Sequence, residues 1–132
     1  MSTFASLYGY NKEAAANGTW VSIGEAKVKI RAFDSEHTTA LKSKLEAPFK
    51  HLTKAGKDIP VKEYEKIMIK VVANSSLLDW DFKEADGAKV PFSAELAEQW
   101  LSDSPLFLRD VSRVLTSDET FRAADREEDL KN

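Results

Sequence analysis

The sequence predicts a mainly α-helical fold, with four to five helices preceded by a short N-terminal β-hairpin. Between about residues 19 and 33, apolar and charged side chains alternate, which is the period of a strand with one covered face. From Asp34-Ser35 onward, apolar residues recur at helical spacing, and capping residues precede several of these runs. The change of period therefore divides a small β-element from a larger helical part.

Composition indicates one soluble globular domain spanning residues 1–132. With 42% hydrophobic and 31% charged residues, the chain can bury a core of its own. No cysteine is present, which excludes disulfides, thiolate zinc sites and thiol nucleophiles. No apolar stretch approaches the roughly 20 residues of a membrane span. We expect residues 1–17 and 126–132 to be flexible, and the protein to be cytoplasmic with no membrane partner.

The predicted hairpin follows Asn17-Gly18, a pair suited to a turn with positive φ. Gly24-Glu25 provides a two-residue connection that pairs about 19–23 with about 26–33. In the second strand the apolar residues alternate with basic ones, namely Val28, Ile30 and Ala32 with Lys27, Lys29 and Arg31.

Two helices are predicted next. Asp34-Ser35 caps a helix over about 36–54, in which Pro48 introduces a kink or a break. A second amphipathic helix begins at Val61, and its buried stripe ends at Leu77 and Leu78.

Three further helices are predicted in the last third of the chain. Ser93 caps a helix that contains Trp100, and Ser104-Pro105 begins the next one, since proline is tolerated in a first turn. A last, weaker helix runs from Ser117-Asp118 through Phe121 into the charged terminus.

The connection between the second and third helices is predicted to be structural. Trp80 and Phe82 anchor it on the helical core, Asp86-Gly87 supplies a turn, and Pro91 precedes the capping serine. We expect Trp80 and Trp100 to be buried. A catalytic pair formed by the two aspartates beside Trp80 would need environments that separate their pKa values, and such a pair is not predicted.

Enzymatic and nucleic-acid-binding functions have little support in the sequence. His37 and His51 are far apart, and no metal-binding, phosphate-binding or nucleophile motif occurs, so no catalytic residue, cofactor or metal site is predicted. Residues 42–70 contain eight lysines against four acidic residues, but no arginine, and the acidic C-terminal segment offsets this local excess. With a net charge of -3, we expect no nucleic-acid partner.

The ordered motifs of residues 17–132 resemble the tail assembly chaperones of long-tailed bacteriophages and prophages. The similar segments are GTWVSIG, LLDW, a D-G turn, VPFSAELAEQWL and SPLFLRDV. The matching positions are Trp20, Trp80, Asp86, Gly87, Pro91, Phe92, Ser93, Glu95, Trp100 and 105–108. Phe82-Lys83 departs from the family, whose members often have a Trp-Glu segment there.

This resemblance implies a non-enzymatic role in the cytoplasm of the bacterial host, with no place in the mature virion. The chain would bind the tape-measure protein and help tail-tube protein to polymerise around it. We also expect a homo-oligomer, with a ring as one form, because a small domain multiplies weak contacts in this way and a two-stranded hairpin leaves edges that need cover. Candidate partner contacts are Phe4, Tyr8 and Tyr10. The alternative is a generic protein-binding adaptor domain unrelated to phage tails.

Overall fold

Two short helices and a β-hairpin form the first part of the fold. The computed structural model describes residues 3–117 and 119–122. Its first four elements are the helices α1 (Thr3–Tyr8) and α2 (Lys12–Asn17) and the strands β1 (Thr19–Ile23) and β2 (Ala26–Ile30). The hairpin prediction is confirmed, because β1 and β2 pair antiparallel from Thr19 opposite Ile30 to Ile23 opposite Ala26. The predicted flexibility of residues 1–17 stays a prediction, and residues 126–132 lie outside the described residues.

Helices and one further strand make up the rest of the described chain. The predicted helix over 36–54 is interrupted at Pro48 by a 3₁₀ turn, as its proline requires. A π-helical turn ends α5 before the third strand begins. The elements are α3 (Glu36–Glu46), the 3₁₀ turn Ala47–Phe49, α4 (Lys50–Lys54), α5 (Val61–Val71), the π turn Val72–Ser76, β3 (Leu77–Trp80), α6 (Ala94–Asp103) and α7 (Pro105–Thr116).

The third strand changes the fold class. β3 pairs antiparallel with β2, so the sheet has the order β1-β2-β3 and lies in the middle of a chain that is helical on both sides. The fold is therefore mixed α/β, and the prediction of a mainly α-helical domain preceded by a hairpin is wrong. Leu77 and Leu78 end no helix, because Leu77 and Trp80 are buried as strand residues, with Trp80 opposite Val28. A short apolar run fits a helix end and a strand equally well, and only its pairing partner decides between them.

Side-chain caps begin three of the helices at the predicted serines. The hydroxyl oxygens of Ser35, Ser93 and Ser104 accept hydrogen bonds from the backbone N–H groups of Thr38, Leu96 and Phe107, respectively. The predicted helix from 117 onward is not formed in its described part, because Glu119–Phe121 is a turn. The remainder of that predicted helix lies outside the described residues.

The core lies between one face of the sheet and helices α5, α6 and α7. Val28, Ile30 and Trp80 come from the strands, and Leu101 and Val111 come from the helices that cover them. No helix in the described ranges is long and apolar enough to cross a membrane.

An aromatic cluster fixes the connection between β3 and α6. The Trp80 ring stacks on Trp100 with centroids 4.7 Å apart and meets Phe92 edge-on at 4.8 Å. The Trp80 indole N–H donates to the Val90 carbonyl oxygen at 2.8 Å, which satisfies the only polar atom of this buried side chain. Trp80 is fully buried, as predicted. Trp100 is only partly buried, because one side of its ring lines a surface pocket together with Phe82 and Phe107.

Candidate partner-binding surface

Exposed apolar side chains concentrate at the N-terminal side of the fold. Phe4 and Tyr8 lie one turn apart on α1, with ring centroids 5.4 Å apart, and are 71% and 69% exposed. Leu7 lies beside them and is also exposed. Large exposed side chains clustered in this way are typical of interaction surfaces, whereas single exposed apolar residues are common on any protein.

Tyr10 connects this surface to the body of the protein. Its ring packs edge-on against Phe121 at 6.4 Å, and its hydroxyl donates to Asp34 Oδ1 at 3.3 Å. The neighbouring Asn11 backbone N–H donates to the Phe121 carbonyl oxygen at 2.8 Å, which also holds this segment against the turn Glu119–Phe121. Partial burial, together with the neighbouring charge of Asp34, raises the pKa of the Tyr10 hydroxyl, which therefore remains a donor at neutral pH.

Trp20 extends the exposed aromatic surface onto the sheet. Trp20 is one of the predicted structural-motif residues, and its side chain is 43% exposed on the solvent face of β1. A cavity of about 650 Å³ adjoins it, with one wall formed by β1 and the other by α2 and the turn Glu119–Phe121. A second cavity of about 460 Å³ lies beside Tyr8 and Tyr10 and shares Glu119 with the first. We call the exposed side chains that line these two cavities, together with Phe4 beside Tyr8, the N-terminal surface; its members are Phe4, Leu7, Tyr8, Tyr10 and Trp20.

The remaining predicted motif residues have local structural roles. Asp86 Oδ1 accepts from the Ala88 backbone N–H at 2.9 Å, and Gly87 follows with φ of 92°, so the D-G pair forms the predicted turn. Pro91 is exposed and leads to Phe92, which packs on Trp80 before α6 begins. These residues hold the connection in place and lie apart from the cavity linings of the N-terminal surface.

Among the described residues, the closest approach to a catalytic arrangement is a polar network between α3 and the π turn. His37 Nδ1 lies 2.6 Å from Ser75 Oγ, which in turn lies 2.8 Å from Thr38 Oγ1. Both Ser75 and Thr38 are fully buried, so a substrate has no access to the serine hydroxyl in this structure. Among the described residues there is no group of three or more histidine and carboxylate side chains that could hold a metal ion.

Asp79 and Asp81, the carboxylates beside Trp80, each serve the local backbone. Asp79 Oδ1 accepts from the Trp80 N–H at 2.8 Å, and Asp81 Oδ1 accepts from the Lys27 N–H at 2.7 Å. Both carboxylates therefore help to fix the backbone of the sheet and of the segment that follows β3.

Sequence reasoning missed part of the N-terminal surface. Leu7 was not identified, and although a two-stranded hairpin was expected to leave open edges, only the pairing of β3 with β2 shows that β1 is the edge strand. Lys27 and Lys29 of β2 line the larger cavity. The sequence pattern predicts only that they lie on the polar face of an alternating strand.

Comparison with known proteins assigns the chain to a family. A family model described as YdaY prophage protein matches residues 33–132. No curated protein and no solved structure shows significant similarity to the chain. The match supports the phage-related part of the resemblance but not the tail assembly chaperone family specifically, and the N-terminal surface precedes the matched residues. Because the matched part is more than half of its length, the chain belongs to the YdaY prophage protein family.

Proposed function

We propose that this prophage protein is a non-enzymatic tail assembly chaperone that binds the tape-measure protein and aids polymerisation of the tail tube. The observation that supports this proposal most directly is the N-terminal surface, where exposed aromatic and leucine side chains lie at or beside two cavities that share Glu119. Aromatic side chains supply large contact area at low cost in conformational entropy, which suits a surface that holds another protein.

The choice of client rests on the ordered motif resemblance. The tail assembly chaperones that the motifs resemble act on the tape measure before the tube assembles, and the family match, which is to a prophage protein, supports a phage-related role. The proposed site of action is the cytoplasm of the bacterial host during assembly. Self-association would let several copies hold one elongated client, since linked weak sites bind together with much higher avidity.

Coexpression tests the chaperone role. A tape-measure protein encoded by the same prophage should remain in the soluble fraction and copurify with this chain. Light scattering after size exclusion should give a mass well above the 14.8 kDa of one copy. A strict monomer at high concentration that leaves the tape measure insoluble would contradict the proposal and favour a generic adaptor domain.

Matched variants test whether the N-terminal surface makes the contact. Replacing Phe4 and Tyr8 together by serine should abolish copurification, because it removes the two most exposed rings of this surface. Val61→Ser is the control, since Val61 is 82% exposed on α5, away from the cavity linings. Equal loss of client with both variants would show that the effect is not specific to the N-terminal surface.

A further inference from the structure

The outer side of β1 presents to the larger cavity backbone groups that pair with no other described residue. The hairpin closes through a two-residue loop in which Gly24 has φ of 63° at the first central position, as in a type II′ turn. The closing pair of such a hairpin is hydrogen-bonded, and hydrogen-bonded pairs then alternate along the ladder. The N–H and C=O groups of Thr19, Val21 and Ile23 therefore point towards β2, and those of Trp20 and Ser22 point away from it.

Contacts on β2 support this assignment independently. The Lys27 N–H donates to Asp81 Oδ1 at 2.7 Å, and the Lys27 carbonyl oxygen accepts from the Asp81 N–H at 3.1 Å. Lys27, which lies opposite Ser22, thus directs its backbone groups away from β1. Within residues 3–117 and 119–122, no backbone group outside the hairpin pairs with Trp20 or Ser22.

The cavity beside this edge has room for one extended chain. Its volume of about 650 Å³ falls within the ~300–1,000 Å³ range of protein binding pockets. Its lining includes Glu119–Phe121 and Asn11 as well as β1, so a single extended segment placed in it can contact residues on both sides.

The charge of the cavity favours an acidic occupant. Lys27 and Lys29 contribute two positive charges to its lining, and neither forms an ion pair with another described residue. The one carboxylate in the lining, Glu119, is already paired with Arg122 at 2.7 Å. Ser22 is the small residue of the outer face of β1, so the Lys27 side chain can reach across it towards a carboxylate on an added strand.

We propose that β1 binds an extended segment of a client protein by strand addition, with an acidic side chain facing Ser22 and Lys27. The added strand exchanges hydrogen bonds with the backbone of Trp20 and Ser22. The Trp20 ring covers the side chain of the added strand that lies beside it. The inference rests on the proposed function only in naming the client as the source of the segment.

Amide NMR of the full-length protein tests the pairing. The probes are a synthetic peptide of alternating threonine and glutamate and a matched peptide of alternating threonine and lysine. With the glutamate peptide, the amide signals of Trp20 and Ser22 should shift and become protected from exchange, while those of Thr19 and Val21 keep their existing protection. The lysine peptide should bind at least tenfold more weakly. Unchanged Trp20 and Ser22 amides, or equal binding of both peptides, would overturn the proposal.

Variants separate the backbone and charge contributions. Ser22→Pro removes an outward N–H at an edge position, where proline is tolerated, and should weaken glutamate-peptide binding at least tenfold, whereas Ser22→Thr keeps the N–H and should bind normally. Lys27→Glu should reverse the preference between the peptides, and Lys57→Glu, at an exposed loop position, should not. If Ser22→Pro does not fold, the Lys27→Glu comparison and the amide pattern of the parent protein still decide.

The peptide-binding experiments and the tape-measure coexpression experiment can fail separately. Peptide pairing at Trp20 and Ser22 without solubilisation of the tape measure would support the edge site and contradict the chaperone role. Full solubilisation by the folded Ser22→Pro protein would support the chaperone role and contradict the edge site.

Discussion

Two adjacent buried serines provide a matched test of what buried hydroxyl groups contribute to stability. Ser75 and Ser76 lie in the π turn and are both fully buried. The Ser75 hydroxyl contacts Thr38 Oγ1 at 2.8 Å and His37 Nδ1 at 2.6 Å, whereas the Ser76 hydroxyl has no hydrogen-bond partner among the described residues. Replacing each serine by alanine should therefore destabilise the protein at position 75 but not at position 76.

Ser75→Ala should lower the free energy of unfolding by about 2 kcal/mol. A buried donor left without an acceptor costs roughly 1–3 kcal/mol. The fully buried Thr38 hydroxyl accepts from Ser35 Oγ, so removing the Ser75 oxygen leaves the Thr38 O–H without an acceptor among the described side chains. Ser76→Ala should change the free energy by less than about 0.5 kcal/mol or increase it, because it removes a hydroxyl that is desolvated without compensation. The Ser76 backbone carbonyl, which accepts from the Arg31 N–H at 2.7 Å, is retained in this variant.

Urea denaturation of the parent and both variants measures the difference. The midpoints should separate while the slopes stay equal, since neither change alters the surface exposed on unfolding. A double-mutant cycle with Thr38→Val should show that the two substitutions together cost less than the sum of the single losses, because they remove the same hydrogen bond. Equal losses at Ser75 and Ser76, or additive losses in the cycle, would refute the assignment of the network.

Two further predictions concern positions that the tertiary structure constrains closely. Gly18→Ala should lower the free energy of unfolding by about 1–3 kcal/mol in urea denaturation, because Gly18 has φ of 101° and an added Cβ would lie 2.5 Å from Leu78 Cδ1. Gly87→Ala, at an exposed turn with open space around it, should cost less, and a larger loss there would contradict the steric argument. Trp80→Ala should cost about 3–5 kcal/mol and Trp100→Ala distinctly less, since only Trp80 is fully buried; equal urea midpoints for the two variants would contradict this ranking.

Local signals in the sequence predicted the elements that depend on neighbouring residues. The hairpin turn at Gly24-Glu25 and the three serine caps form as predicted, because each depends on hydrogen bonds between residues a few positions apart. The break at Pro48 follows for the same reason, since proline removes a backbone donor wherever it stands.

Part of the candidate site could also be predicted from the sequence. Phe4, Tyr8 and Tyr10 stood out as aromatics without a strand or helix pattern to bury them, and the structure places all three at the exposed N-terminal surface. Which side of β1 is open, and which lysines line the adjoining cavity, depends on the third strand and on the turn at Glu119–Phe121. No local pattern in the hairpin contains that information.

By itself, the sequence determined the hairpin, the helix starts capped by Ser35, Ser93 and Ser104, and the absence of cysteine, because propensities, turns and composition act locally. Only the tertiary structure decided that Leu77–Trp80 joins the sheet, which made the fold mixed α/β. It also decided that Trp100 is left partly exposed. The physical reason is that strand pairing and burial are set by residues distant in the chain, here Val28 opposite Trp80, and a short apolar run is equally compatible with either secondary structure until that partner is in place.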